Sequence, residues 1–117
     1  MGKLISLKKN DWSTAKRRAL TGPEIVTRLS KLEGWILTGE DTSLAIEKSF
    51  DFPNYFQTMA FVNAVAFISH TEDHHAELLI QSKRCVVRFN THDVAGISAT
   101  DFDCAERCDN LVSRNPT

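Results

Sequence analysis

Residues 44–70 read LAIEKSFDFPNYFQTMAFVNAVAFISH, and the spacing of their apolar side chains changes at Pro53. Up to that point apolar and polar residues alternate, which predicts a half-buried strand over residues 44–52. From Asn54 to about His70 apolar side chains lie nearly all round a helix, and Pro53 suits its first turn. This helix should cover the inner face of a sheet and contribute to the core Phe56, Met59, Val62, Ala66 and Phe67.

The segments before this strand predict a first helix and a first hairpin. Trp35-Ile36-Leu37 should pair with the strand across the Gly39-Glu40-Asp41 turn. Upstream, Thr21 and Glu24 have the spacing of a capping box, and Gly34 is typical of a helix stop. The apolar stripe between these signals predicts a helix over residues 21–33.

The second half of the chain predicts a second hairpin and a last helix. Residues 78–80 and 85–89 predict two short strands joined by a polar turn at residues 82–84. Ser98 and Asp101 then suit the N-cap and third residue of a last helix that runs to about Val112. The order α-β-β-α-β-β-α indicates an α+β fold, with a four-stranded antiparallel sheet and three helices packed on one face.

Length and charge divide the chain unevenly. A chain of 117 residues that is 42% apolar suits one domain, which can gain stability by oligomerising. Residues 1–20 carry six basic residues and one acidic residue, a net charge of +5, so the rest sums to −6 because the whole chain carries −1. We expect a solvated basic N-terminal extension at 1–20, a domain at 21–113, a tail at 114–117 and no binding to nucleic acid.

Other sequence features restrict the class of protein. No apolar run approaches the ~18–20 residues of a membrane span, and the first residues lack a secretion signal. We therefore expect a soluble cytoplasmic protein that does not bind membranes. Cys85, Cys104 and Cys108 lack the CxxC spacing of zinc or redox motifs and should be reduced structural thiols.

The histidines are the strongest chemical signal. His74-His75 follow the central helix, His92 follows the last strand beside Asp93, and His70 lies one helical turn before the pair. Unperturbed imidazole exchanges protons near neutral pH, so this clustering predicts proton-transfer chemistry. These residues and Asp101 all lie at the ends of elements, where they can converge on one cleft.

Two other interpretations stay open from the residues alone. The histidine pair also suits a solvated cap at the negative end of a helix, and Asp93 and Asp101 suit a turn and a cap. His70 and His74 have the i, i+4 spacing of zinc ligands, with His92 or Asp93 as a third. The residues between them do not form HExxH and no cysteine pair supports the site, so we expect no metal.

The chain resembles the pterin-4a-carbinolamine dehydratase family over about residues 20–112. The resemblance is carried by His70-x-x-x-His74-His75, by residues 85–93 (CVVRFNTHD) and by Ala95-Gly96-Ile97-Ser98-x-x-Asp101. It extends to Gly34-Trp35, Ile46-Glu47-Lys48, Phe50-Asp51-Phe52 and residues 59–64 (MAFVNA).

The resemblance implies both an assembly and a reaction. The assembly is a homodimer or homotetramer of single α+β domains. The reaction is that of a hydro-lyase, which dehydrates 4a-hydroxytetrahydropterin to quinonoid dihydropterin in tetrahydrobiopterin recycling without a metal or redox cofactor. The expected catalytic residues are His74, His75 and His92, and the expected substrate-binding residues are His70, Thr91, Asp93 and Asp101.

Dehydration requires a proton to leave N5 and another to reach the 4a-hydroxyl, which one neutral and one protonated imidazole can supply. One division of roles makes His74 the base, His92 the acid and His75 the group that orients the pterin. Asp101 would orient an imidazole or bind the ring. The sequence leaves these roles open.

The chain departs from the family pattern next to the histidine pair. Ala76 stands where the family usually has proline, and Ser82 stands where it has an aromatic residue. Loss of the proline relaxes the backbone at His75, so we expect a slower enzyme. The alternative is a weakly active or inactive family member that binds a protein, as a RuBisCO assembly factor in carboxysomes or a dimerisation cofactor.

Overall fold

The computed structural model describes residues 17–113, so what the sequence predicts for residues 1–16 and 114–117 lies outside the described residues. The predicted order α-β-β-α-β-β-α is confirmed. The elements are α1 (Gly22–Leu29), β1 (Ile36–Thr38), β2 (Ala45–Asp51), α2 (Tyr55–Thr71), β3 (Glu77–Gln81), β4 (Arg84–Phe89) and α3 (Ala99–Ser113). Short 3₁₀ turns lie at Asp41–Ser43 and His92–Val94.

The strands form one antiparallel sheet in the order β1-β2-β4-β3. The central pair is β2 and β4, in which Phe50 lies opposite Cys85. Side chains alternate along β4, so that Cys85, Val87 and Phe89 are buried while Arg88 stays half-buried on the other face. The buried set joins residues of α2 and α3 in one core, and among the described residues Leu79, on β3, is 59% exposed.

Helix α1 begins at the predicted cap but ends before the predicted residue 33. The Thr21 hydroxyl accepts from the Glu24 N–H at 3.3 Å, and the Glu24 carboxylate accepts from the Thr21 N–H at 2.8 Å. After Leu29 the chain tightens, and the Lys31 N–H donates to the Arg28 carbonyl at 3.1 Å. The Leu32 N–H likewise donates to the Leu29 carbonyl at 3.0 Å. These i→i−3 bonds end the α-helix, and the chain then continues into β1.

Helix α2 buries one face, and the core residues predicted for it are partly wrong. Val62 is buried and Met59 packs against the core, as predicted. Phe56, Ala66 and Phe67 are exposed, with Phe56 81% accessible. Apolar residues all round a helix do not indicate which side meets the sheet, and the buried face is Thr58, Phe61, Val62, Val65, Ile68 and Ser69.

A polar cluster fastens α3 to the first hairpin. The Trp35 Nε1–H lies 3.1 Å from both carboxylate oxygens of Asp109, and the Lys48 ammonium lies 2.8 Å from Oδ1. The same ammonium donates to the Glu33 carbonyl at 3.0 Å. Because Trp35 also packs edge-on against Phe50 in the core, this cluster joins the apolar interior to the surface.

The three cysteines are buried and unpaired with one another, as predicted for reduced structural thiols. Burial raises the pKa of the Cys104 thiol to about 12, and it also raises the pKa values of Cys85 and Cys108. Their reactive thiolate forms are therefore scarce at neutral pH, and these side chains act as small apolar groups in the core.

The last residues of the predicted extension are attached to the domain. The Leu20 N–H donates to the Ile97 carbonyl at 2.7 Å, and the Leu20 side chain packs against the core. Within residues 17–113, no helix has the length and apolar content that crossing a membrane requires.

Replacement of Gly39 by alanine should lower the free energy of unfolding by about 1–3 kcal/mol. Gly39 has φ +82°, and a Cβ atom there would lie 2.2 Å from the Ser43 carbonyl oxygen. Gly22→Ala is the control, because nothing lies within 4 Å of its added Cβ. Urea denaturation of both variants measures the difference, and equal stabilities would contradict the prediction.

Candidate active site

The first loop of the candidate site begins where α2 ends. Asp73 has a left-handed backbone with φ +51°, and the next residue, His74, donates its N–H to the Ser69 carbonyl at 2.8 Å. This turn directs the His74 ring into the protein, where it is 5% exposed. The side chain of His75 is exposed. The histidine pair is therefore split into one buried and one accessible imidazole.

The second loop shows the same division. Thr91 and Gly96 exchange backbone hydrogen bonds of 2.8 and 3.4 Å, which close the loop after β4. Within it, Ala95 adopts a left-handed backbone with φ +50°. Thr91 is fully buried, whereas the adjacent His92 is exposed. Each loop thus pairs a buried polar residue with an exposed histidine.

Asp101, in the first turn of α3, joins the two loops. It is fully buried, and its Oδ1 accepts a hydrogen bond from Nε2 of His74. Its Oδ2 accepts from the Thr91 hydroxyl at 2.7 Å and from the Ser98 N–H at 2.9 Å. Because the Thr91 hydroxyl uses its one O–H in the bond to Asp101, the Ser98 hydroxyl donates to Thr91 Oγ1 at 2.6 Å. We call His74, Thr91, Ser98 and Asp101 the Asp101 network.

The other side of the His74 ring faces an arginine. Nη1 of Arg17 lies 3.0 Å from Nδ1 of His74, and Nη2 donates to the carbonyls of Glu72 and Asp73 at 3.2 and 3.3 Å. The ring also stacks on Phe89, with an interplanar angle of 11°. Both nitrogens of this imidazole are therefore engaged by protein groups.

Two adjoining pockets lie over the loops, and His75, Asn90 and His92 line both of them. The sheet-side pocket, of about 520 Å³, is also lined by Thr42, Ser43, Ala76, Glu77 and Arg88. The turn-side pocket, of about 410 Å³, is also lined by Arg17, Asp73, His74 and Asp93. Larger depressions beside α1 and beside Phe61 are lined by no histidine.

Arg88 forms a rigid wall of the sheet-side pocket. Its Nη1 donates to Thr38 Oγ1 at 3.0 Å, and its Nη2 donates to the Ser43 carbonyl at 2.7 Å. Its Nε lies 3.1 Å from a Glu77 carboxylate oxygen. The planar guanidinium is thus held by groups on three segments, so the wall can present it in one orientation.

The structure separates the seven predicted site residues into three groups. His74, Thr91 and Asp101 belong to the Asp101 network, and His74 also lines the turn-side pocket. His75, His92 and Asp93 line the pockets without joining the network, and His70 lies outside both. His70, half-buried in the last turn of α2, was the second ligand of the zinc alternative. Within residues 17–113, no three histidine, cysteine or acidic side chains are grouped to hold a metal ion.

Several pocket residues are not among those predicted from the sequence, and Arg17, Arg88 and Asn90 are the ones that contribute polar groups beside the histidines. The sequence places Arg17 in a solvated extension. The position of Asn90, between the last strand and Thr91, was a usable signal. Arg17 offered none, because 57 positions separate it from His74.

Asp101→Asn should lower the free energy of unfolding by about 2–4 kcal/mol. Both carboxylate oxygens of Asp101 accept hydrogen bonds. The asparagine amide replaces one of these oxygens with an N–H₂ group, which would then face another donor. Asp103→Asn, at an exposed position of the same helix, should change stability by less than about 0.5 kcal/mol. Equal unfolding midpoints for the two variants in urea would show that the network does not hold the loops.

The comparisons with known proteins agree with this architecture. A relative from Paracidovorax citrulli, provisionally named pterin-4-alpha-carbinolamine dehydratase, is 56% identical over 92% of each chain. A relative of the same name from Bdellovibrio bacteriovorus is 55% identical over 81% of this chain and 79% of its own.

Two solved structures share the fold. A transcriptional coactivator/pterin dehydratase from Brucella melitensis superposes with a TM-score of 0.75 at 26% identity, over 80% of this chain and 98% of the other. A pterin dehydratase-like RuBisCO assembly factor of the alpha-carboxysome has a TM-score of 0.59 at 23% identity, over 71% and 94% of the two chains. The family model for pterin 4 alpha carbinolamine dehydratase matches residues 18–111, and the chain belongs to this family.

Proposed function

We propose that this chain is a hydro-lyase that converts 4a-hydroxytetrahydropterin to quinonoid dihydropterin in tetrahydrobiopterin recycling. One observation carries the proposal: the exposed imidazoles of His75 and His92, which come from different loops, line the same two pockets. Each pocket has a volume within the ~300–1,000 Å³ typical of small-molecule sites. A bicyclic substrate can therefore lie between two groups that carry protons.

The reaction needs one proton acceptor and one proton donor. As the N5–H bond breaks, its electron pair forms the C4a=N5 double bond, and the C4a–O bond breaks. A neutral imidazole takes the N5 proton, and a protonated imidazole gives a proton to the hydroxyl, which leaves as water. Solvent then restores both rings, because His75 and His92 are exposed.

The burial of His74 favours a different division of roles from the one suggested by sequence. Its ring is 5% exposed and bonded at both nitrogens, so a proton from N5 has no free site on it. We assign the two proton transfers to His75 and His92 and make His74 the residue that positions the first loop. Asp101 and Thr91 act with it inside the Asp101 network, without contact to the pterin.

The polar edge of the pterin can be recognised by neighbouring groups. Asn90 lines both pockets between the two exposed histidines, and its amide offers both a donor and an acceptor. Arg88 and Glu77 add a donor and an acceptor in the sheet-side pocket, and Asp93 adds a carboxylate in the turn-side pocket. His70 lies outside both pockets, and we assign it no role in this reaction.

A second copy of the chain is the partner that the outer face of α2 fits best. Phe56, Ala60, Asn63 and Phe67 are exposed at spacings of four, three and four residues, so they share one face. Along this face an aromatic residue lies at each end and two smaller residues lie between them, so the order of sizes is the same when the helix is read in reverse. An antiparallel copy related by a two-fold axis would place Phe56 against Phe67 at both ends, as an isologous interface requires. We therefore propose a homodimer or a homotetramer built on this face.

Replacement of His75 or His92 by alanine should lower kcat for 4a-carbinolamine dehydration by about 10²–10⁴-fold. The double variant should fall to the uncatalysed rate. The absorbance change of the pterin, followed in purified protein, measures the reaction. Lys83→Ala, on the exposed turn between β3 and β4, is the control that should keep the wild-type rate.

Unchanged activity in the double variant would contradict this assignment of the site. An inactive wild type would instead favour the binding alternative, in which the fold serves as a protein assembly factor or dimerisation cofactor. Capture of one defined macromolecular partner by the inactive protein would then support that alternative.

Phe56→Ser combined with Phe67→Ser should reduce the mass of the assembly in solution, because the variant removes the large apolar groups from the exposed face of α2. Sedimentation velocity measures this mass. Val26→Ser is a matched control, since Val26 is an apolar residue 66% exposed on a different helix, and it should leave the mass unchanged. A monomeric wild type, or a double variant of unchanged mass, would contradict the proposed interface.

A further inference from the structure

We propose that Arg17 is a positioning residue that fixes His74 as the neutral imidazole with its proton on Nε2 and so holds the first loop of the site. The role of Arg17 in fixing the His74 ring is argued from geometry alone, whereas the effect of Arg17 on turnover rests on the proposed dehydratase function. Arg17 lies before α1 and belongs to neither loop of the site, and its side chain reaches the His74 ring.

The protonation state follows from the partners of the two ring nitrogens. Arginine remains charged and has only donors, so Nη1 at 3.0 Å requires a lone pair on Nδ1 of His74. On the other side, the Asp101 carboxylate only accepts, so Nε2 must carry the proton. A doubly protonated ring would set an N–H against the guanidinium, and Arg17 would have to leave.

The same guanidinium restrains the backbone that carries the histidine pair. Its Nη2 donates to the carbonyls of Glu72 and Asp73, just after the end of α2. The Glu72 carbonyl belongs to the C-cap of α2, and the Asp73 carbonyl belongs to the left-handed turn that follows it. One planar group therefore bonds to the end of the helix, the left-handed turn and the ring, which a single ammonium group could not span in the same geometry.

This restraint offsets the missing proline of the family pattern. Ala76 has a backbone N–H, which proline lacks, and it donates to Ser69 Oγ at 3.3 Å. Together with the Arg17 contacts, this bond anchors the chain on both sides of His75. Hydrogen bonds thus replace a rigid ring in keeping His75 directed at the pockets.

The charged groups that face the His74 ring come from several elements. Arg17 and Asp101 contact it directly, and Asp73 and Asp93 line the same turn-side pocket. The imidazoles of His75 and His92 line that pocket as well. Arg17 meets Nδ1 of His74 with a charged donor, so replacing Arg17 by alanine should remove this donor from the Nδ1 lone pair.

Nitrogen-15 NMR of the histidine side chains in the full chain tests the proposal. Wild-type His74 should show a proton on Nε2 and none on Nδ1. In Arg17→Ala the Nδ1 resonance should shift because this nitrogen loses its charged donor, and kcat should fall about 10- to 100-fold with a smaller change in KM. Arg18→Ala is the matched control, because Arg18 pairs with Glu24 on the surface, and it should match wild type.

The two readouts separate this proposal from the proposed function. A proton on Nδ1 of wild-type His74, or an unchanged His74 spectrum in Arg17→Ala, would overturn the role of Arg17 whatever the activity. Arg17→Lys should recover neither the spectrum nor kcat in full, and full recovery would show that charge alone acts. An inactive wild type would overturn the dehydratase function but leave the NMR result decisive for Arg17.

Discussion

A buried carboxylate sets the arrangement of the whole site. Asp101 is fully removed from solvent, and an ionised group in such a place costs several kcal/mol unless hydrogen bonds satisfy it. Its donors come from His74, Thr91 and Ser98, which lie on both loops and at the start of α3. The contacts that stabilise the charge therefore also bring the two histidine loops together.

The burial of Asp101 explains why each loop has one buried and one exposed residue next to each other. The inward residue, His74 or Thr91, is fixed by the Asp101 network, and the outward residue, His75 or His92, is left at the pocket wall. In the reaction that we propose, a reactive imidazole needs an open nitrogen, whereas a precisely positioned side chain needs hydrogen-bond partners. Adjacent residues can meet both demands, since one peptide unit joins the buried side chain to the exposed one.

The elements of the fold were largely predictable, because they arise from local patterns. The alternating pattern around Ile46 lies within β2 itself, and the capping residue Thr21 directly precedes α1. The face of α2 was not predictable, and Phe56 and Phe67 were wrongly placed in the core. An apolar helix carries no periodic signal for the side that meets the sheet. That choice depends on the turns before and after α2.

For the site, the clustering of imidazoles in the sequence predicted that histidines meet in one cleft, and His75 and His92 line the same two pockets. The separation of His74 from His75, the burial of Asp101 and the contact with Arg17 could not be predicted from the sequence. Local propensities act over about four residues in a helix or a turn. The contacts that engage both ring nitrogens of His74 span 27 and 57 positions, and only packing of the folded chain brings those groups within hydrogen-bond distance.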